Sequence, residues 1–573
     1  MKKFMVLFMV LLVISSQVGF SLHLEEEKKE IADTIFINGK IYTVEKQQPW
    51  AEAVAISEGK IIYVGNNKCV YSYKGNMTKV IDLKGKMMLP GFIDSHLHAE
   101  ATVNFLFSVN LQGSQTVEEY IQRVVTYAEQ HPDAPAIQGN GWSNILFPPT
   151  GPNKEALDAV VQDIPVALRS EDFHSLWVNS KALELAGITK DTPNPEGGVI
   201  ERNEDGEPSG TLRETAQNLV LSTLPSFSIK EYKEALQYFQ DYANKNGYTQ
   251  VNHMLVENQE TIVQALTALE TEQALSIRHS LSFAIQPSEG VNLIPYLKEQ
   301  RRNLQGPLVK MNGAKLFMDG VVEGETAYLH EPYNTRPGYR GVPIWEKQTY
   351  INMIQALDKE KFQIHVHSIG DAATTETLDA LAHAQNINGK RDSRHKVTHL
   401  QLVRENDIKR FKSLGVVGVP QPSWFVKDSY YDQAVMLLGE ERANKQFPMK
   451  SFFNEGVKMA SSSDYPITSG LYFSPLTAIQ IGITRSDIGK MNPEDVLNPK
   501  ERVSLKDMIE SYTINSAYAN FSEHETGSIK VGKKADLVVL DKNLFEVPEH
   551  SIYKTRILLT LLEGKEIYRH KDL

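Results

Sequence analysis

The sequence predicts an α/β protein, a (β/α)8 TIM-like barrel with a composite β-sandwich domain built from both termini. Three observations carry this. Between about residues 90 and 500, eight short apolar runs alternate with helical patterns. Both ends of the chain are strand-rich, and neither end holds enough strands to close a sheet alone. Histidine, aspartate and lysine recur at the ends of the internal runs, where such a barrel collects its reactive groups.

Composition sets the outer limits. With 41% hydrophobic and 23% charged residues, the 573-residue chain is an ordinary globular sequence. Its length suits roughly two to four domains. A formal net charge of -11 argues against a general nucleic-acid surface. The single cysteine, Cys69, excludes an internal disulfide framework.

The chain opens with Lys2-Lys3, an apolar run from Phe4 to Ile14, and then Ser15, Ser16 and Gly19. That order reads as a signal peptide, residues 1–21, cleaved near Ser21; the run is short for a bilayer span. The expected mature protein is secreted or periplasmic, with no membrane span. TIFINGKIYTV, AVAISEGKIIYVG and KVIDL follow, punctuated by Asn38-Gly39, Glu58-Gly59 and Gly65-Asn66. These predict the first part of the β-sandwich, residues 33–89. Residues 506–573 predict a helix and then the second part, through GSIKVGKKADLVVLD and ILLTLLEGKEIYR.

Residues 90–505 predict the barrel. Its expected strands are Phe92–His98, VALRS (166–170), TQVNHM (249–254), VKMNGAKLFMDG (309–320), FQIHVHSIGD (362–371), HKVTHLQ (395–401), GVVGVPQP (415–422) and VKMASSSDYP (457–466). Residues 100–165 hold more helix and loop than one crossover needs, which predicts a cap insertion near the mouth.

On the first of these strands, alternation sends Asp94, His96 and His98 to one side. Two imidazoles one strand-step apart can hold one metal ion. In a chain with 16 histidines, roughly 0.4 His-x-His pairs arise by chance, so the pair gains weight only from what lies downstream. Downstream lie Lys315, His365, His367, His399 and Asp464, each at the end of a later run. His174, on the loop after VALRS, is a candidate to contact substrate or polarise its carbonyl, with packing or bracing of the loop as the alternative. Trp142, Trp177 and Trp424 are candidates for pocket walls, with plain core packing the common alternative for a buried tryptophan.

PGFIDSHLH, the later strand-end histidines, SSSDYP and GSIKVGKKADLVVLD together resemble the amidohydrolase superfamily. The spacing of KLFMDG, HVHSIGD and VTHLQ, with FHSLWVNSKAL at 173–183, resembles its amidohydrolase-3, or YtcJ-like, branch over about residues 33 to 569. The resemblance implies a metal-bearing distorted barrel beside a β-sandwich. Carried over motif by motif, it implies that His96 and His98 bind the more buried ion with Asp464. His367 and His399 then bind a second ion if there is one. Lys315 stands where the superfamily often places a bridging carboxylated lysine or a glutamate. A free ammonium has no lone pair, so Lys315 ligates only when neutral or carboxylated. An ion-pair role in a one-metal site is the alternative, with Glu323 or Glu325 as substitute carboxylates. His365, Asp94 and Asp371 are expected behind the ligands, orienting them.

The implied reaction is hydrolysis of the C–N bond of an N-substituted or N-acyl amide by metal-activated water. Asp464 moves the proton and His174 assists, with zinc the favoured divalent ion, one or two per chain. Ring deamination and hydrolysis of cyclic amides or lactones are alternatives within the superfamily; a non-catalytic binding barrel is the alternative outside it. The expected partners are a small-molecule amide substrate and, at the level of assembly, a second copy of the chain in a homodimer, with no nucleic acid.

Overall fold

The structure is a computed structural model that describes residues 30–573. The expected signal peptide lies outside the described residues. Among those residues, no helix is long and apolar enough to cross a membrane.

The centre is a parallel sheet of seven strands that curls into a barrel. In chain order they are Phe92–Leu97, Tyr248–Leu255, Arg278–Ala284, Val309–Phe317, Gln363–Ser368, Lys396–His399 and Val417–Val419. Residues 457–466 close the ring without forming a regular strand. Gly418 bridges Met459 in parallel on one side. On the other side, Ser95 N donates to Ser461 O (3.2 Å), Asp464 N to His96 O (3.0 Å) and His98 N to Tyr465 O (2.7 Å). The strands are buried on both faces, as parallel strands covered by helices must be. Gly91 admits the chain to the first strand because a Cβ there would lie 2.5 Å from the Thr249 side chain.

One expected strand is misplaced. Val166–Ser170 is not in the barrel; it pairs with Ile137–Trp142 and Ser175–Val178 in a separate six-stranded sheet. The barrel takes Arg278–Ala284 in its place. Both runs are short, and VALRS is the more apolar of the two, so local pattern favoured the wrong one. The expected eight strands are therefore seven regular strands, with residues 457–466 closing the ring without one.

The inserted sheet begins at Val109–Asn110 and ends at Pro208–Glu214, well beyond the expected limit of residue 165. The amphipathic helix Val117–Gln130 covers it, burying Tyr120 and Val124. Trp142 and Trp177 belong to this layer's core and are fully buried, so they do not wall a pocket. Their indole N–H groups donate to Leu168 O (2.7 Å) and Asn153 O (2.8 Å).

The two ends of the chain form one β-domain. Met87–Pro90 pairs antiparallel with Leu537–Leu540, opposing Met88 to Val539, and joins the terminal strands into one sheet of six. A shared core follows, in which Phe36, Ile41 and Met88 pack with Ile529, Leu537 and Leu559. Two hairpins of this domain turn at Glu58-Gly59 and Glu563-Gly564, with positive φ at all four positions. That is the backbone twist a tight two-residue hairpin requires. Arg278, at the foot of the third barrel strand, clamps the barrel to this domain through Asp536 and through Glu563 (2.7 Å).

Candidate active site

Strand alternation builds the mouth of the barrel. In Gln363–Ser368, His365 and His367 point inward while Ile364 and Val366 pack into the surrounding core. Register sets Lys315 opposite His365, Phe317 opposite His367, and Ser368 opposite His399. His399 and Asp464 both have positive φ, 74° and 59°, where the chain leaves the barrel wall. Such backbone is unusual for a non-glycine residue and is held here by the surrounding ladder.

Asp464 is the hub. Its Oδ1 lies 3.2 Å from His96 Nε2 and 3.5 Å from His98 Nε2. Its Oδ2 lies 3.8 Å from His399 Nδ1. The His367 ring follows, with its centroid 4.3 Å from that of His399 and 4.9 Å from that of His174. All the residues proposed from sequence as ligands or catalysts (His96, His98, His174, Lys315, His367, His399 and Asp464) therefore line one cavity of about 430 Å³.

Each imidazole is oriented by a group behind it. His98 Nδ1 donates to Met254 O (3.1 Å), His367 Nε2 to Gly320 O (3.1 Å) and His399 Nδ1 to Gln421 Oε1 (3.0 Å). Since these oxygens only accept, the opposite nitrogen of each ring keeps its lone pair. His96 Nδ1 meets His365 Nε2 at 2.9 Å, so His365 lies behind His96. Asp94 accepts from the main-chain N–H of His96 and of Ser463, both at 3.1 Å. Asp371 is elsewhere: it accepts from His330 N (2.9 Å). Asp319, which sequence reading passed over, accepts from Tyr328, Ile369 and Gly370 and so ties the loop after the fourth strand to the end of the fifth.

The donor set fits a divalent ion. His96, His399 and Asp464 each offer a ligand atom, all within 4.8 Å of one another. His96 Nε2 and Asp464 Oδ1 are buried and have no hydrogen-bond partner, a costly arrangement that a cation would relieve. Burial pushes the pKa of His96 and His367 well below the ordinary value, keeping both rings neutral as ligands must be. Lys315 is fully buried, its Nζ unpartnered and 4.6 Å from the centroid of the Phe317 ring. Burial lowers its pKa to about 7, opposed by Asp464, so the neutral amine is accessible near neutrality. Glu325 is not available as a substitute, because it is held by Thr335 and Arg336. Glu323 lines a different cavity.

His174 stands on the inserted sheet, not on the barrel, between Val166–Ser170 and Ser175–Val178. Its Nδ1 lies 2.8 Å from Glu214, the last residue of another strand of that sheet. Burial disfavours the imidazolium, but the Glu214 charge outweighs it and raises the pKa to about 9. The site thus has a cationic imidazole facing it from above. Glu214 had no recognisable signal, since 40 residues separate it from His174 in the chain.

Comparison with known proteins agrees with this arrangement. Residues 79–568 match the model of the Amidohydrolase family. The chain is 29% identical to a putative amidohydrolase, YtcJ, of Bacillus subtilis, across 93% of this chain and 99% of that protein. It is 26% identical to an N-substituted formamide deformylase of Arthrobacter pascens, across 93% of this chain and 98% of that protein. A solved metal-dependent hydrolase from Pyrococcus furiosus superposes with a TM-score of 0.67 at 28% identity, covering 89% of this chain and 99% of that one. The chain belongs to the Amidohydrolase family and is a hydrolase acting on carbon–nitrogen bonds.

Proposed function

We propose that this protein hydrolyses N-substituted or N-acyl amides, using one or two divalent ions held by His96, His98, His367, His399 and Asp464. The single observation that carries the reading is Asp464, whose two oxygens face histidines on different strands while Oδ1 has no hydrogen-bond partner. Zinc suits this set of imidazoles and carboxylate. Such an ion supplies Lewis acidity, polarising a carbonyl oxygen and acidifying water.

The chain's own groups do the rest. Asp464 accepts the proton of the attacking water and returns it to the leaving nitrogen. His174, kept cationic by Glu214, donates a hydrogen bond to the oxygen on which negative charge develops. The deformylase relative supports an N-substituted amide as the substrate type. The test is hydrolysis by the metal-reconstituted protein of a panel of formamides, longer acyl amides, hydantoins and lactones. Turnover of the open-chain amides alone is the expected result; turnover of rings alone would overturn it.

His174 gives a pH signature. Its pKa is raised, so the imidazolium is complete below the ordinary value near 6.5 and is lost as pH rises through about 9. Glu214→Gln removes the raising charge and leaves burial unopposed. The alkaline limb of kcat/KM should move down by about two pH units, and the rate at pH 8 should fall about tenfold.

If two ions are bound, Lys315, as a carboxylated lysine, would supply the shared anion. Two cations in one site need a shared anion, and Asp464 and the histidines do not supply a second one. Elemental analysis should find two metals per chain in bicarbonate, and about one in Lys315→Ala, partly restored by acetate. One metal in both proteins would return Lys315 to an ion-pair role.

A further inference from the structure

A second cavity, of about 400 Å³, opens from the other side of the catalytic cluster. It shares His174, His367, His399 and Asp464 with the first, so this cluster sits at the junction of two chambers. Asp464 is only 3% exposed, and its unpartnered Oδ1 belongs to this junction.

The second chamber has an unusual lining. Besides Asp464, five carboxylates face it: Glu171, Asp172, Glu323, Asp428 and Asp487. Among the described residues, no lysine or arginine lines it. The partners of these carboxylates among the described residues are neutral. Glu171 accepts from the Tyr430 hydroxyl, and Asp172 from Asn144 (2.8 Å) and Ser170. Asp428 caps the helix Ser429–Leu438 by accepting from Tyr431 N (3.0 Å), and Asp487 accepts from the Tyr472 hydroxyl (2.5 Å). The Glu323 carboxylate accepts no hydrogen bond from another described residue.

Apart from His174, whose imidazolium is already paired with Glu214, nearby positive charge does not reach in. Arg485 sits behind the wall, its guanidinium committed to the carbonyls of Gln446 (3.0 Å), Phe447 (3.1 Å) and Leu497 (2.9 Å). Lys427 lies beside the Tyr431 ring and donates to Glu494 O (3.0 Å). The chamber also holds Trp424, Tyr430, Tyr431 and Tyr472, whose ring faces attract cations. Trp424 is fixed by its N–H on Thr468 (2.8 Å) and by stacking on His399, with centroids 5.6 Å apart. It therefore connects the catalytic cluster to the acidic chamber.

We propose that this chamber is the subsite for a cationic arm of the substrate, a protonated amine or amidinium carried by the amide that is cleaved. The substrate class is then an N-acylated diamine or a close relative, not a neutral or acidic amide. The proposal rests on the hydrolytic reading above. Its physical basis is an excess of carboxylates over the single imidazolium of His174: burial, followed by repulsion from Asp172 and Asp428 and against the opposing charge of His174, raises the pKa of Glu323 to about 7, and burial and its neighbours raise Glu171 and Asp428 too. A bound ammonium supplies the counter-charge and rests against aromatic faces; a carboxylate-bearing arm is repelled.

The experiment uses the full-length, metal-loaded protein and three acyl amides of equal length, ending in an ammonium, a hydroxyl or a carboxylate. The ammonium compound should exceed the hydroxyl compound in kcat/KM by about tenfold or more, with the carboxylate compound slowest. Glu323→Gln and Asp487→Asn should each reduce the ammonium-to-hydroxyl ratio by about threefold or more, and the double variant should bring it near one. Either variant alone serves if the other fails to fold. Binding is read separately by calorimetry with n-hexylammonium against 1-hexanol, neither of which can be hydrolysed. Equal turnover of the ammonium and hydroxyl amides would overturn the cation subsite and leave amide hydrolysis standing. No turnover of any amide, with hexylammonium still preferred in a Glu323-dependent manner, would overturn the hydrolytic reading and leave the subsite. Neither turnover nor preference would overturn both.

Discussion

Asp464→Asn lowers kcat about a thousandfold while the barrel stays folded and most metal stays bound. The substitution is nearly isosteric, and asparagine tolerates the φ of 59° that this position requires. Its main-chain N–H still donates to His96 O (3.0 Å), so closure of the barrel is preserved. The side-chain oxygen still faces His96 and His98. What disappears is the capacity to accept a proton from water and return it to the departing nitrogen, because a carboxamide is not basic near neutrality. The checks are kcat on a cleaved amide, metal per chain, and the thermal melt of the same preparation. Near-normal turnover with full metal would assign the proton to another group.

His96→Ala removes the metal and with it nearly all activity, a loss of about 10⁴-fold or more. His96 is fully buried, with one nitrogen against His365 (2.9 Å) and the other facing Asp464 (3.2 Å). No neighbouring side chain replaces it, and Asp464 loses the nearer of the two imidazoles at Oδ1. His365→Gln separates this effect from simple loss of packing. It keeps a polar group behind His96 but alters the ring's support, so metal affinity should weaken by about 10- to 100-fold without being abolished. Competition with a chelator, followed by elemental analysis, measures both variants. Full metal content in His96→Ala would remove this residue from the ligand set.

Most of the candidate site was legible along the chain because it is carried by short motifs on strands. His-x-His on one strand, a second His-x-His two residues before Gly370-Asp371, and Ser-Ser-Ser-Asp at the last strand end keep their meaning whatever surrounds them. Alternation alone specifies which face they share. Roles that depend on distant partners were invisible. Glu214 charges His174, Gln421 orients His399, and the Met254 carbonyl orients His98 across 156 residues. Nothing local distinguishes these residues from ordinary polar positions. Trp142 and Trp177 show the opposite failure: large aromatics look the same in a layer's core and in a pocket wall, and only packing separated them from Trp424.

By itself, the sequence determined the barrel class, the joining of the two termini in one β-domain, and the residues that converge at the mouth. These follow from hydrophobic period, turn residues and motif spacing, which are local properties. Only the tertiary structure decided that Arg278–Ala284 belongs to the barrel and Val166–Ser170 to an inserted sheet, because two short apolar strands differ only in what they pair with. Likewise, only the tertiary structure brought Glu171, Glu323, Asp428 and Asp487 to one chamber. Their shared field depends on distances through space, and 316 positions of chain separate the first from the last.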